Sequence, residues 1–593
     1  MSIFNLFIYI LLIFPKISFS LYPEAQLLTG NIISSDYFST NTLNAFDNNI
    51  KTSYRSFYQA CWIGLDLLSE YYITKIGWGQ NKNDKSNYIL GFLEGSNNEN
   101  FIDALPLYMI KDEGKINEIN YIDILTSKPF RYIRYVGPKD KYCIISEIEI
   151  YGFNNKTEII NLINNNEEYI YQPSNIPLIV MNTGDPKDLH ERIFSLDCFV
   201  YIINNNKIEA SGKANREFRG NGSMKFPKLS YKLKFVEEKK TFLNFPSKAK
   251  DWNLISNYAD KTLIRNLLSL EISRLFQMKY TINCKSIDVI CNGLYLGTYI
   301  ICEKAEVKND RINITKMNET SINYPEITGG YYLEIDAYTR SEKSKFISNK
   351  NNYITIKYPK VKNILPEQHL YIENKFNEME RKLFKNDYSN IDFDSFAKFF
   401  LIQEFTANSD GFWCIKMYKE RNDEHFYFGP VWDFDIAYDN DITVYPINDY
   451  KKFIFEYGHT FAATSKFIEK IVINENVIKK LKYLWKDVFE NKIKKDYINI
   501  YIDELVKNIN ESQRLNFLRW NILGKALREH NPVVRYSYEK EIKFLKEFIK
   551  KRTDLMNQYI LGDYLYDKYK SNNGTFLYFS YIYIIIFFFL LLI

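Results

Sequence analysis

Gly429-Pro-Val-Trp-Asp-Phe-Asp435, read together with Ala407-Asn-Ser-Asp-Gly411 upstream of it, decides how the larger part of this chain is understood. Around these stretches the apolar pattern predicts a helix over 393–406 and two strands, 414–418 and 426–428. Asp433 and Asp435 are separated by one residue at a strand end, a spacing that lets two carboxylates converge on one divalent cation. Asp410 lies 25 positions before the last acid, on the adjoining loop with Asn408. Hard oxygen donors of this kind suit Mg²⁺ or Mn²⁺. Phosphoryl transfer needs the same inventory: acids to hold the metal across the phosphates, and one more to orient or deprotonate the nucleophile. D-x-D alone is common in solvated turns; Asn408 and Asp410 beside it favour a site.

Working outward, a second group stands in a strand-rich region. Arg219-Gly-Asn-Gly-Ser-Met-Lys-Phe-Pro-Lys228 is followed by Ser230-Tyr-Lys-Leu-Lys234. A glycine-containing loop lets backbone N–H groups approach phosphate oxygens, and neighbouring cations neutralise them. Lys232 and Lys234 share one strand face, and Lys228 just before them can reach the same pocket. Without context, the bland reading is a hairpin with a charged outer face. Strands are expected at 176–181, 199–203 and 231–235, then a helix after Asp260 carrying Leu263, Leu267, Leu270, Ile272 and Leu275. Asn292-Gly293 joins two further strands and is a strong hairpin signal. Helices follow at 366–383, 393–406, 464–489, 497–523 and 537–559. A sheet half, then a helical half, with acids near the junction, is the layout of a kinase-like two-lobed enzyme.

These residues resemble the CotH kinase family in five ordered motifs: R-G-N-G-S with P-K-x-S-Y-K-L-K-F; D-W-N-L with Asp260-Lys-Thr-x-x-Arg265-Asn266; Cys291-Asn-Gly-x-Tyr-x-Gly-x-Tyr299 with Glu303; Gly329-Gly-Tyr-Tyr-Leu-Glu-Ile-Asp336; and G-P-V-W-D-F-D. Leu229 departs from the pattern, standing where a second Lys is often found. The resemblance implies an atypical protein kinase using ATP with Mg²⁺ or Mn²⁺. By position, Asp410 matches the catalytic acid, and Asp433 and Asp435 match the metal-binding acids, with Asn408 beside them. Arg219, Lys228 and Lys232 are the implied phosphate contacts, and Glu303 ends a strand where a kinase places its hinge. Asp260 and Arg265 read best as a buried ion pair.

Nearer the N-terminus, 71–78, 88–96, 130–136 and 144–151 alternate as half-buried strands do, which indicates a β-sandwich or jelly roll. Ala45-Phe-Asp-Asn-Asn-Ile-Lys-Thr52, Gly91-Phe-Leu-Glu-Gly-Ser-Asn97, Phe130-Arg-Tyr-Ile-Arg-Tyr135 and Ser146-Glu-Ile-Glu-Ile-Tyr-Gly152 resemble the coagulation factor 5/8 type C, or discoidin-like, domain. That resemblance implies glycan or lipid-headgroup binding through loops at one end of the sandwich. It also implies a structural Ca²⁺ where Asp47, Thr52 and Glu147 fall. Exposed aromatics such as Tyr54, Phe57 and Tyr58 could stack on a sugar ring.

Composition removes several classes. With 77 Lys and Arg against 72 Asp and Glu, the net charge of +5 argues against a nucleic-acid protein held by phosphate contacts. Five His and no H-E-x-x-H exclude a zincin. Residues 1–20 have the form of a secretory signal peptide. Residues 576–593 carry no charge, and eighteen residues at about 1.5 Å each span roughly 27 Å, near the hydrocarbon thickness of a bilayer. Small residues before this run suggest a GPI signal; the short spacer after Gly574 leaves a single transmembrane helix open. The expected location is therefore the secretory pathway and cell surface, membrane-anchored. Seven Cys show no C-x-x-C; Cys61 with Cys143 is the pairing that lies within one N-terminal domain. Sequons stand at Asn155, Asn313, Asn318 and Asn510.

The expected architecture is multidomain: signal peptide 1–20, discoidin-like β-sandwich 21–153, linker 154–175, α+β atypical protein-kinase-like two-lobed domain 176–561, linker 562–575 and hydrophobic anchor 576–593. Two functions follow. One is a surface-displayed kinase that phosphorylates secreted or surface proteins while the sandwich holds a surface glycan or cell-wall polysaccharide. The other is a non-catalytic adhesin that keeps the kinase fold as a binding scaffold.

Overall fold

Short segments rich in β-branched and aromatic residues, punctuated by Asn, Asp and Gly, become antiparallel strands in the first part of the chain. The computed structural model describes residues 25–82, 88–124, 126–154, 170–184, 194–220, 222–237, 240–442, 452–457, 462–493, 496–527, 532–565 and 567–568. The expected leader at 1–20, the anchor segment at 576–593, the sequon Asn155 and most of both expected linkers lie outside the described residues. Among the described residues, no helix is long and apolar enough to cross a membrane.

The N-terminal strands are β1 (Gln26–Leu27), β2 (Asn31–Ser34), β3 (Tyr54–Gln59), β4 (Trp62–Gly79), β5 (Phe92–Ser96), β6 (Leu105–Met109), β7 (Ile119–Asp123), β8 (Phe130–Val136), β9 (Tyr142–Ile145) and β10 (Glu147–Phe153). They form the expected β-sandwich. The long strand β4 belongs to both of its halves: Trp62–Asp66 pairs with β2 and β8, and Tyr72–Gly79 pairs with β10 and β7. β5 and β6 extend the first half, β1 edges the second, and β3 pairs with β9 alone. Ile63, Ile76, Phe92, Leu93, Ile133 and Ile150 fill the interior. Tyr54 belongs there too and not on the surface, at 0% exposure, with its hydroxyl 3.1 Å from Ser34 Oγ.

Later strands are β11 (Leu178–Asn182), β12 (Ser195–Asn204), β13 (Lys207–Arg219), β14 (Ser230–Phe235), β15 (Asp251–Ile255), β16 (Cys284–Cys291) and β17 (Leu294–Glu303). Two compact units divide the chain. The first gathers the sandwich with residues to Glu217, with Phe235–Glu237 and with Asp288–Gly297. Within it β11 runs antiparallel to β12 and parallel to the end of β16, and β12 pairs with β13. Asn292 (φ 52°) and Gly293 (φ 74°) both adopt the left-handed region that a two-residue hairpin turn demands.

The second unit holds β14, β15 and the rest of the chain. Its elements include α1 (Arg265–Leu275), β18 (Tyr331–Ile335), β19 (Lys345–Ile347), β20 (Tyr353–Tyr358), α2 (Pro366–Leu383), α3 (Phe393–Phe405), β21 (Ile415–Lys419) and β22 (Phe426–Phe428). A five-stranded sheet takes the order β19-β20-β18-β21-β22. α3 starts where Asp392 accepts a hydrogen bond from Ser395 N (2.7 Å), and it buries Phe396, Phe399, Phe400 and Phe405.

Two expected helices are broken. Residues 464–489 become α4 (Ala462–Val472) and α5 (Glu475–Lys486), because the Asn474 side chain accepts from Asn476 N and Val477 N and starts a new helix. Residues 497–523 become α6 (Tyr497–Asn508) and α7 (Asn510–Arg519), and α8 is Tyr538–Met556.

Asp260 does not cap α1 as the sequence suggests. It lies five residues before Arg265, accepts from Thr262 N and Arg265 N (both 2.9 Å), and pairs with the Arg265 guanidinium; both side chains are fully buried. The disulfide among the described residues joins Cys284 to Cys302, whereas Cys61 and Cys143 are buried thiols.

Candidate active site

α3 ends in a left-handed turn that creates the site. Ala407 (φ 47°) donates to Glu404 O, and Asn408 N donates to Gln403 O (3.0 Å), closing the helix. A non-glycine residue held there costs on the order of 1 kcal/mol, so the surrounding contacts must enforce it. They do: the Asn408 amide donates to Gln403 Oε1 (3.0 Å) and to the main-chain carbonyl of Asp433 (3.1 Å). A Cβ on Gly411 would collide with that same Gln403 side chain. Asn408 is fully buried, and its Oδ1 has no hydrogen-bond partner among the described residues.

The D-F-D segment is pinned by its backbone. Asp433 (φ 66°) is a second strained non-glycine residue. Asn408 holds its carbonyl, Asn266 Oδ1 accepts from Phe434 N (2.9 Å), Asn440 Nδ2 donates to Asp435 O (2.8 Å), and Tyr438 N donates to Thr406 O (2.7 Å). The Asp433 carboxylate is thereby left accessible to solvent. It is nonetheless closely surrounded, and burial pushes its carboxyl up from the ordinary value against the pull of Arg219 and Lys416. Arg219 shares that setting: burial lowers its pKa while Asp433 raises it, and its guanidinium lies 5.9 Å from the Trp432 ring.

Asp410 sits two residues beyond Asn408 in the short turn Ser409–Phe412, partly buried, its carbonyl accepting from Trp413 N and Cys414 N. Asp435, also partly buried, stands two residues beyond Asp433. The fold therefore links Asn408 directly to the main chain of Asp433; Asp410 and Asp435 stand two residues beyond each in the chain, and the charge of Arg219 acts on Asp433.

The remaining nominated residues point elsewhere. Lys228 is buried, and its ammonium donates to Thr298 O (2.5 Å) and Asn516 Oδ1 (2.9 Å), so a phosphate would have to displace protein acceptors. Lys232, partly buried, pairs in register with Asn253, which pairs with Cys302; Leu233, Trp252 and Glu303 occupy the opposite face. Glu303 is buried there, accepting from Ser247 Oγ (2.8 Å) and Asn283 Nδ2 (2.8 Å). Lys232 and Glu303 thus do not meet.

Among the described residues, no group of three or more His, Cys, Asp or Glu side chains is placed to hold a metal. The donor set still fits Mg²⁺, which commonly takes one or two carboxylates and completes its shell with water and substrate phosphate. The orphan Asn408 Oδ1 is a further oxygen of the right chemistry. Sequence reasoning gave no role to Asn266, Gln403 or Lys416; the first was quoted only as part of a motif, and the last was legible as a single charge inside the apolar run Ile415–Tyr418.

On the sandwich, Asp47, Thr52 and Glu147 do come together. Thr52 Oγ1 donates to Asp47 Oδ2 (2.7 Å), and Asn49 N lies 2.9 Å from Asp47 Oδ1 and 3.0 Å from Glu147 Oε2. Burial, abetted by Asp47 and Glu149 and opposed by the N–H groups of Asn48 and Asn49, pushes the Glu147 carboxyl up to about 7. Elsewhere on the sandwich, Asp36 accepts from Phe38 N and Phe57 N, and the rings of Tyr37, Phe38, Phe57 and Tyr58 are all more than half exposed.

The family model described as CotH kinase protein matches residues 217–556, more than half of the chain. No curated protein matches. Solved structures with similarity to part of the chain include CBM62 from Clostridium thermocellum Xyl5A, 28% identical, covering 22% of this chain and 97% of that one at a TM-score of 0.21. CpGH89CBM32-6 of Clostridium perfringens is 17% identical over 22% and 97%, at 0.17. A putative chitobiase fragment from Bacteroides thetaiotaomicron is 18% identical over 23% and 98%, at 0.18.

Proposed function

The chain belongs to the CotH kinase protein family, and from that premise we propose that its second unit is a metal-dependent phosphotransferase acting on secreted or surface proteins. The single observation that carries this reading is the hydrogen bond from Asn408 Nδ2 to the main-chain carbonyl of Asp433, which joins the turn bearing Asp410 to the D-F-D segment while Asn408 Oδ1 stays buried and unpartnered among the described residues. Asp433, Asp435 and Asn408 Oδ1 would hold Mg²⁺ or Mn²⁺, which when bound neutralises charge on the phosphates. Arg219 lends positive charge to Asp433. Asp410 orients the acceptor hydroxyl and takes its proton as the new oxygen–phosphorus bond forms. The bond from the terminal phosphorus to the bridging oxygen breaks, and its electron pair leaves with ADP. The test is transfer of terminal label from ATP by the purified chain, with and without Mg²⁺ or Mn²⁺. Failure to bind any nucleotide would leave the adhesin as the better account.

The sandwich, in this proposal, supplies adhesion to a surface glycan. Outward-facing rings held by Asp36 suit stacking on a pyranose, whose C–H face is apolar. Replacing Phe57 and Tyr58 together by Ala should abolish retention on cell-wall polysaccharide in affinity electrophoresis. Unchanged retention would remove the aromatic group from the binding surface.

The Asp47–Thr52–Glu147 group is proposed to hold Ca²⁺. Its pH dependence follows from Glu147. Its folded pKa of about 7 lies above the ordinary carboxylate range, so the folded state takes up a proton before the unfolded chain does. Its contribution therefore favours folding at low pH and is lost as pH rises through about 7. Ca²⁺ replaces that proton, so stabilisation by Ca²⁺ over EDTA should be small at about pH 5 and larger at about pH 8. Melting curves that are indifferent to Ca²⁺ at both values would exclude the site.

A further inference from the structure

Cys284, at the start of β16, is joined to Cys302, near the end of β17. Beside the bridge the two strand ends are tied a second time. Glu303 N donates to Asn283 O (3.0 Å), and Asn283 Nδ2 donates to Glu303 Oε2 (2.8 Å). Cys302 is fully buried and shares an apolar cluster with Ile282 and Ile300 and with Leu267 and Leu270 of α1. Cys284 packs against the same cluster and is partly exposed. The bridge thus fixes the strand side of a cluster whose other side is α1.

The D-F-D segment is held to this cluster at two points. The Trp432 ring packs against it, with the Arg219 guanidinium 5.9 Å from the ring on its own account. Asn266, next to Leu267 in α1, accepts from Phe434 N (2.9 Å). Asp433 lies between these two holds, in a left-handed conformation (φ 66°) that a non-glycine residue keeps only while its surroundings enforce it. Close-packed interiors transmit small displacements rather than absorb them, so the order of the cluster sets the order of the segment.

We infer that the Cys284–Cys302 disulfide braces Asp433 through Trp432 and Asn266, and that reducing it loosens the D-F-D segment. Trp432 is accordingly a positioning residue. The consequence for nucleotide binding rests on the phosphotransferase reading; the mechanical brace does not. The reductant is a dithiol. Its thiolate bonds to Sγ of Cys284, the more exposed cysteine, the S–S bond breaks, and the electron pair leaves on Cys302 Sγ. The second thiol then displaces Cys284 Sγ. The reductant ends as a disulfide, and its two protons pass to the two cysteines with the two electrons. Chain kept in a reducing compartment carries the loosened site, and chain matured in an oxidising lumen the braced one.

The test uses the full chain, air-oxidised and then treated with dithiothreitol, with alkylation and mass spectrometry to follow the thiols of Cys284 and Cys302. Hydrogen exchange over Gly429–Asp435 should quicken on reduction. Mg²⁺–ATP affinity should fall about 5–150-fold, the usual range for coupling between sites. The Cys284→Ser/Cys302→Ser variant should match the reduced wild type. With the disulfide intact, Trp432→Ala should produce the same two changes and leave little for reduction to add, whereas Trp432→Phe should keep most of the wild-type behaviour. Exchange over Gly429–Asp435 that reduction leaves unchanged overturns the inference even if the melting temperature drops, because the bridge then only stabilises the fold. Free thiols at both positions after air oxidation overturn it as well. If the reduced chain and the double variant unfold, the rate of reduction decides. A ring packed on the bridged cluster shields it, so dithiothreitol should reduce Trp432→Ala faster than Trp432→Phe, and equal rates overturn the inference. A wild-type chain that binds no nucleotide overturns the phosphotransferase reading, while the exchange measurement still decides the brace.

Discussion

Asp410→Asn should lower metal-dependent phosphoryl transfer by about 10²–10⁴-fold while nucleotide affinity stays near the wild-type value. The proposed role of Asp410 is confined to the reaction: its carboxylate orients the acceptor hydroxyl and receives the proton. An amide keeps the size and a hydrogen-bonding oxygen but cannot take the proton. The turn at Ser409–Phe412 is closed by the main-chain carbonyl of residue 410, which the substitution leaves in place. Asp433→Asn should behave differently, weakening nucleotide binding only when metal is present, because a ligand of the metal acts in the ground state as well. Single-turnover rates and binding isotherms on both variants separate the two roles. Normal transfer by Asp410→Asn would mean that another group accepts the proton.

Arg552→Ala should cost about 3–5 kcal/mol of stability, the usual penalty for stripping one partner from a buried ion pair. Arg552 donates through Nε to Glu404 O (2.8 Å) and through Nη2 to Glu404 Oε2 (2.8 Å), and both side chains are almost wholly buried. Ile454 N (2.7 Å) and Phe455 N (3.0 Å) complete the carboxylate's shell. Burial pushes the Glu404 carboxyl up to about 7, against Arg552 and those two N–H groups. The folded state therefore binds this proton more readily than the unfolded chain, and its contribution to stability is lost as pH rises through about 7. Without Arg552 the carboxyl climbs further, so the deficit should be larger at about pH 8 than at about pH 5.5. Urea titrations at the two values check this; a deficit independent of pH would mean that Arg552 acts through packing alone. Glu404 lies in the last turn of α3, just before Ala407 and Asn408, so the variant should also loosen the site.

Local signals were legible where one residue type has one physical use. Asn292-Gly293 turned as such a pair must, Pro366 opened α2, and the alternation of 130–136 produced β8. The helix breaks were harder to see. Asn474 and Ile509 sit inside continuous apolar periodicity, and the first acts only because its side chain finds the N–H groups of residues 476 and 477. Tyr54 looked like a surface aromatic because its neighbours Phe57 and Tyr58 are; its hydroxyl instead met Ser34, on a distant strand.

The sequence by itself determined the order of the elements and the turns, and nominated Asn408 together with the D-F-D acids, because these rest on backbone preference and on motifs a few residues long. It also determined the family, through motifs whose order survives without coordinates. Which cations face the acids was decided only by tertiary structure. Lys228 and Lys416 are equally basic on paper, yet Lys228 is closed off by Thr298 and Asn516 while Lys416 pairs with Glu334 on the neighbouring strand. Electrostatic and hydrogen-bond energies fall away over a few ångströms, and residues 334, 357 and 416 come within that range only when β18, β20 and β21 lie side by side.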